Sequence, residues 1–81
     1  MTRQEILDRI DSLVAQEHTL RSRVQAGELP PAEEQRAIRQ LDAAIDQCWD
    51  LLRRRHAASS YGHDPDNVRP RPIPAVEDYL Q

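Results

Sequence analysis

Two stretches of heptad-spaced apolar side chains, interrupted once by Gly27-Glu28-Leu29-Pro30-Pro31, leave this chain few ways to fold. In the first, Ile6, Ile10, Leu13, Leu20 and Val24 follow steps of four and three or their sum, the spacing that lines one face of an α-helix. Glu17 occupies the one seam position without an apolar side chain, and Leu7 and Val14 widen the stripe on one side. In the second stretch the seam is Ile38, Leu41, Ile45, Cys48 and Leu52, broadened by Ala37, Ala44 and Leu51 on one flank and by Trp49 on the other. Thr2-Arg3-Gln4-Glu5 fits a capping box, which predicts a helix over about residues 2–26 that stops at Gly27. A turn over 27–30 follows. Pro31 suits the first position of a second helix, predicted over about 31–57, with Glu33 and Glu34 at the positive end of its dipole. A connection this short folds the helices back as an antiparallel, coiled-coil-like hairpin, setting Leu20 near Ile38, Leu13 near Ile45, Ile10 near Cys48 and Ile6 near Leu52.

An all-α fold also suits the composition. Only three of the 81 residues are aromatic and none is Phe, so a core must be built from Leu, Ile, Val and Ala. The apolar stripes are wider than a lone hairpin can hide, and a chain of this length buries little surface. Self-association of two hairpins into a four-helix bundle is the expected remedy. The hairpin fills residues 1–58, and 59–81 form an irregular, Pro-rich tail. Within the tail, Asp64-Pro65-Asp66-Asn67 reads as a turn and Arg69-Pro70-Arg71-Pro72-Ile73-Pro74 as an extended segment. At its end, one helical turn would present Val76, Tyr79 and Leu80 together, a docking pattern directed at the region of Trp49 or at another subunit.

Several classes of function find no support. A net charge of −3 creates no global field toward nucleic acid or an anionic membrane, and all eleven basic residues are Arg. One cysteine cannot close an intrachain disulfide, no apolar run approaches a membrane span, and the N-terminus lacks a signal-peptide pattern, so a cytoplasmic protein is expected.

The densest apolar stretch, Asp46-Gln47-Cys48-Trp49-Asp50-Leu51-Leu52-Arg53, also carries the only thiol and the only indole. Cys48 falls in the seam between two Asp residues that disfavour a thiolate, so it reads as a small buried hydrophobe. Trp49 sits at the stripe's edge, an interface position, while Asp46 and Asp50 are expected to face water. Glu17 is expected to set register, paired with Arg21 one turn away. His18, His56 and His63 lack metal-site spacing, and no cofactor or metal is expected. Arg53, Arg54 and Arg55 form a basic patch at the helix end that could meet an acidic surface or RNA.

Glu17-His18, the run from Asp46 to Arg53 and the ending Val76-Glu77-Asp78-Tyr79-Leu80-Gln81 together resemble the DUF2630 family, small and mostly actinobacterial proteins of unknown function. The resemblance covers nearly the whole chain and implies a bacterial, cytoplasmic origin. It assigns no role to any residue.

The residues thus point to a non-enzymatic interaction module whose partner is a second copy, first of all in a dimer, or a larger protein assembly. Its interface would use Ile6, Ile10, Leu13, Val14, Glu17, Leu20, Ile38, Leu41, Ile45, Cys48, Trp49, Leu51 and Leu52. A nucleic-acid accessory factor using Arg53 to Arg55 is the alternative, with a helical-bundle metal protein or enzyme a distant third; no membrane partner is expected.

Overall fold

A computed structural model describes residues 1–74. Helix α1 runs from Arg3 to Gln25 and helix α2 from Pro31 to Ser60, with a single 3-10 turn at Pro65–Asn67. The described residues contain no strand.

Each boundary follows from local chemistry. The Thr2 hydroxyl accepts from the Glu5 amide at 3.2 Å and the Glu5 carboxylate accepts from the Thr2 amide at 3.2 Å, so the capping box forms as its sequence predicts. That backbone bond is the main reason the Glu5 carboxyl is held below the ordinary Glu range. At the other end of α1, Gly27 adopts φ +76°, and the amides of Gly27 and Glu28 return to the carbonyls of Val24 and Arg23 at 2.9 Å each. Pro31 then opens α2 as expected, and the Pro30 carbonyl accepts from both Glu33 and Glu34 at 3.1 Å.

Helix α2 extends to Ser60, beyond the expected stop near residue 57. Gly62, at φ +78°, supplies the left-handed residue that allows the His63 amide to reach back to the Ala58 carbonyl at 2.8 Å. That glycine ends the helix.

The two helices pack along one another as a hairpin. Ile6, Ile10 and Leu13 of α1 meet Cys48 and Leu51 of α2 in a buried core, with Leu41, Ala44, Ile45, Leu52 and Val68 packed against it. On α1 these are the residues the heptad reading places in the seam. On α2 the seam is rotated: Leu51, expected on a flank, is buried, while the expected seam residue Leu52 is only half-buried. The hairpin is not the whole packing unit, since Val68 from beyond it packs against the same core. Toward the hairpin turn, Leu20, Val24, Ile38 and Leu41 are only half-buried.

Candidate interaction site

The segment from Asp46 to Arg53 is divided by face, and each face meets a different neighbour. Cys48 is buried, as expected for a small hydrophobe, and loss of hydration pushes its thiol above the ordinary value even with Arg9 nearby. It is a packing residue in a part of the fold that disfavours the nucleophilic thiolate.

Asp50 corrects the expectation of a water-facing carboxylate: it is 2 % exposed. Its Oδ2 accepts from Arg71 Nε at 3.1 Å, its Oδ1 accepts from Arg71 Nη2, and Arg54 Nη1 lies 3.5 Å from Oδ2. Hydrogen bonding from Arg71 is the first reason the Asp50 carboxyl is held below the ordinary Asp range, and it outweighs the opposing effect of burial. A carboxylate can be buried here because a planar guanidinium matches both of its oxygens.

The same face of α2 carries the rest of an intramolecular clamp. Gln47 Nε2 donates to the Arg71 carbonyl at 2.9 Å, and Arg54 Nη1 donates to the Arg69 carbonyl at 2.8 Å. Arg55 is 9 % exposed and its Nη1 donates to the carbonyls of Met1 and Pro65, at 2.7 and 3.0 Å, and to Asp66 Oδ1 at 2.9 Å. Asp64 Oδ1 accepts from the Asp66 amide at 2.9 Å and holds the 3-10 turn against this anchor. Composition explains the pattern. A segment with prolines at 65, 70, 72 and 74 lacks those backbone donors but keeps its carbonyls, so side chains that donate without accepting, such as Arg, are its natural complements.

This geometry revises the basic patch. Arg54 and Arg55 turn inward to hold the tail, and of the three arginines only Arg53 is exposed. What remains open lies around the other side of α2. Trp49 is 43 % exposed, and Val14 on α1 is 50 % exposed. Trp49 and Leu52 line a groove of about 530 Å³ with Leu7 and Arg3 of α1 and with Arg53 and His56. The hairpin is thus closed by its own tail on the Gln47–Asp50–Arg54 flank and open on the Trp49 flank.

The other expected site residues fall as follows. Glu17 bonds Arg21 at 2.7 Å, the expected partner, and also faces Asp42 across the hairpin. Asp42 is exposed over much of its surface. Lost hydration first and the Glu17 carboxylate second hold it above the ordinary Asp value. Val76, Tyr79 and Leu80 lie outside the described residues. Among the described residues no three His, Cys, Asp or Glu side chains gather as a metal site would require, and no helix is long and apolar enough to cross a membrane.

The sequence reading missed Gln47, Asp50 and Arg71 as a unit. A usable signal was present: an acid and an amide three residues apart on one helix face, together with an Arg-Pro-Arg-Pro run connected to that helix by a short turn.

Fold and clamp define a class: a two-helix hairpin that straps its own Pro-rich segment along one flank. The chain belongs to the DUF2630 family, proteins of unknown function, which it matches over residues 2–81. It is 42 % identical over 78 residues to the uncharacterized protein Rv0898c of Mycobacterium tuberculosis, covering 96 % of this chain and 90 % of that one. The uncharacterized protein Mb0922c of Mycobacterium bovis is similar to the same extent. No solved structure matches the chain.

Proposed function

We propose that this chain is a non-enzymatic interaction module of the bacterial cytoplasm that self-associates through the Trp49 flank of its hairpin. One observation carries the reading. The tail covers one side of the two-helix layer and leaves an indole and a valine half in water on the other. An exposed Trp beside Leu7 and Leu52, rimmed by Arg3 and Arg53, has the make-up of an interface centre, an aromatic anchor in an apolar patch with arginine at its edge. Two hairpins apposed on this face give a four-helix bundle and bury both indoles. Engagement of Arg54 and Arg55 by the tail supports a protein partner over nucleic acid, because two of the three cations at this helix end that would meet phosphates are held within the chain.

Light scattering on the purified chain at micromolar concentration tests the proposal. The expected result is a dimer for the unmodified protein and a folded monomer for Trp49→Ser combined with Val14→Ser. A monomeric parent protein overturns it, as does a dimer that the double substitution leaves intact.

A further inference from the structure

The Trp49 flank is charged unevenly along its length. At the open end of the hairpin Arg3, Arg53 and His56 line the groove around the indole, and all three are exposed. Toward the hairpin turn the sign reverses. There Asp42 feels the carboxylates of Glu17, across the hairpin, and of Asp46, on its own helix, with Arg21 as the cation among them. On α2 the two groups share one face. Asp42, Trp49 and His56 follow one another at heptad spacing, which drifts only about 20° per step around a straight helix, and Asp46 and Arg53 flank Trp49 at i−3 and i+4. At 1.5 Å per residue, Asp46 and Asp42 lie about 4 and 10 Å along the helix from Trp49 on one side. Arg53 and His56 lie about 6 and 10 Å from it on the other.

We infer that this flank is self-complementary about a two-fold axis that crosses α2 at Trp49, so that a second copy docks antiparallel, with Arg53 of each copy against Asp46 of the other and His56 against Asp42. The inference rests on the self-association proposed above and adds its orientation and the residues that select it. A two-fold contact sets whatever lies at one distance above the axis opposite whatever lies at that distance below it, so the matched spacings on either side of Trp49 bring opposite charges together. The indoles meet at the axis, with Leu7 and Leu52 beside them. Arg3, at the basic end of α1, comes to the acidic end of the other copy, where Glu17 and Asp42 have only Arg21 between them. An axis parallel to the helices would instead set Arg53 against Arg53 and Asp46 against Asp46, like against like, which disfavours association.

Charge reversal in the full chain tests the inference, with the dimer Kd read by analytical ultracentrifugation and the fold checked by circular dichroism. Arg53→Glu faces Asp46 of the other copy twice per dimer and should raise the Kd about tenfold or more. Adding Asp46→Arg to the same chain restores both contacts with their signs exchanged, and should return the Kd to within about threefold of the parent value. Mixed with isotope-labelled parent protein, the doubly substituted chain should form few mixed dimers in native mass spectrometry, because each contact between the two would join like charges. The parent alone gives a measurement free of any substitution: its dimer should weaken as salt rises from about 0.05 to 0.5 M. A parent that is monomeric overturns the self-association and this inference together. A dimeric parent overturns the orientation alone if its Kd ignores salt, if Arg53→Glu leaves it unchanged, or if the second substitution fails to restore it. Mixed dimers above the statistical share of about half do so as well, since the axis parallel to the helices favours them.

Discussion

The pairing of Asp50 with Arg71 makes a quantitative demand on the fold. Arg71→Gln removes both guanidinium bonds from a carboxylate that is 2 % exposed, leaving only Arg54 at 3.5 Å. Breaking a fully buried pair in this way costs roughly 3–5 kcal/mol. Here the Arg71 side chain is about one-third open to solvent, so water can enter after it leaves, and a loss of about 2 kcal/mol is expected. For a chain of this size that lowers the midpoint of thermal unfolding by roughly 8–16 °C. Asp50→Asn removes the charge but keeps an acceptor for Arg71, and should cost only about 1 kcal/mol. The double variant should resemble the single ones more than their sum, with a coupling of about 1–2 kcal/mol.

Acid titration supplies a second readout with a fixed sign. The Asp50 carboxyl is held low in the folded chain, so its contribution is fully present above the unfolded Asp value of about 3.9 and is lost as pH falls through the depressed folded value. Asp50→Asn should therefore lose less stability below about pH 4 than the parent does. Melts followed by circular dichroism across that range measure both effects. A coupling below about 0.5 kcal/mol, the level at which independent sites already scatter, would refute the clamp as a stabilising unit.

How much of this fold could be read beforehand depends on which surface a residue answers to. Where a side chain meets only its own helix or the facing one, periodicity and capping chemistry sufficed: Ile6, Ile10 and Leu13 are buried, Thr2 and Glu5 form the capping box, and Glu17 holds Arg21. Where a side chain answers to the tail, they failed. Heptad positions describe a helix as though its only neighbour were the other helix, so Asp50 and Arg55 read as solvent-facing and Leu52 as more buried than Leu51. The returning segment reverses all three by adding a third layer over the Asp50–Leu51 side. Proline-rich sequence hides that layer, because it carries almost no apolar periodicity and docks chiefly through carbonyls, which every residue has. Trp49 remained legible because it stays 43 % exposed at the edge of the stripe, where its periodicity places it.

Two further expectations follow from the same contacts. Arg55→Met keeps much of the side-chain bulk but strips three acceptors, the Met1 and Pro65 carbonyls and the Asp66 carboxylate, of a buried donor. It should cost about 2 kcal/mol and open the chain near residues 63–68 to limited proteolysis, whereas an unchanged cleavage pattern would mean that Val68 alone holds the tail. At the other end of the hairpin, Glu17 stands between a favourable partner, Arg21, and an unfavourable one, Asp42. Glu17→Gln gives up an i,i+4 ion pair of about 0.3–0.5 kcal/mol and relieves repulsion at Asp42, so net stability at neutral pH should move by no more than about 0.5 kcal/mol. The sharper readout is Asp42 itself. Its raised folded value means that its ionisation weakens the fold, a penalty absent below the unfolded Asp value and fully present once pH has risen through the folded one. Removing the Glu17 charge should move the Asp42 carboxyl, followed by nuclear magnetic resonance, part of the way down toward the ordinary Asp range. Burial, the larger cause, persists in the variant, so a complete return would assign the shift to Glu17 alone, and no movement would show that the two carboxyls do not face one another.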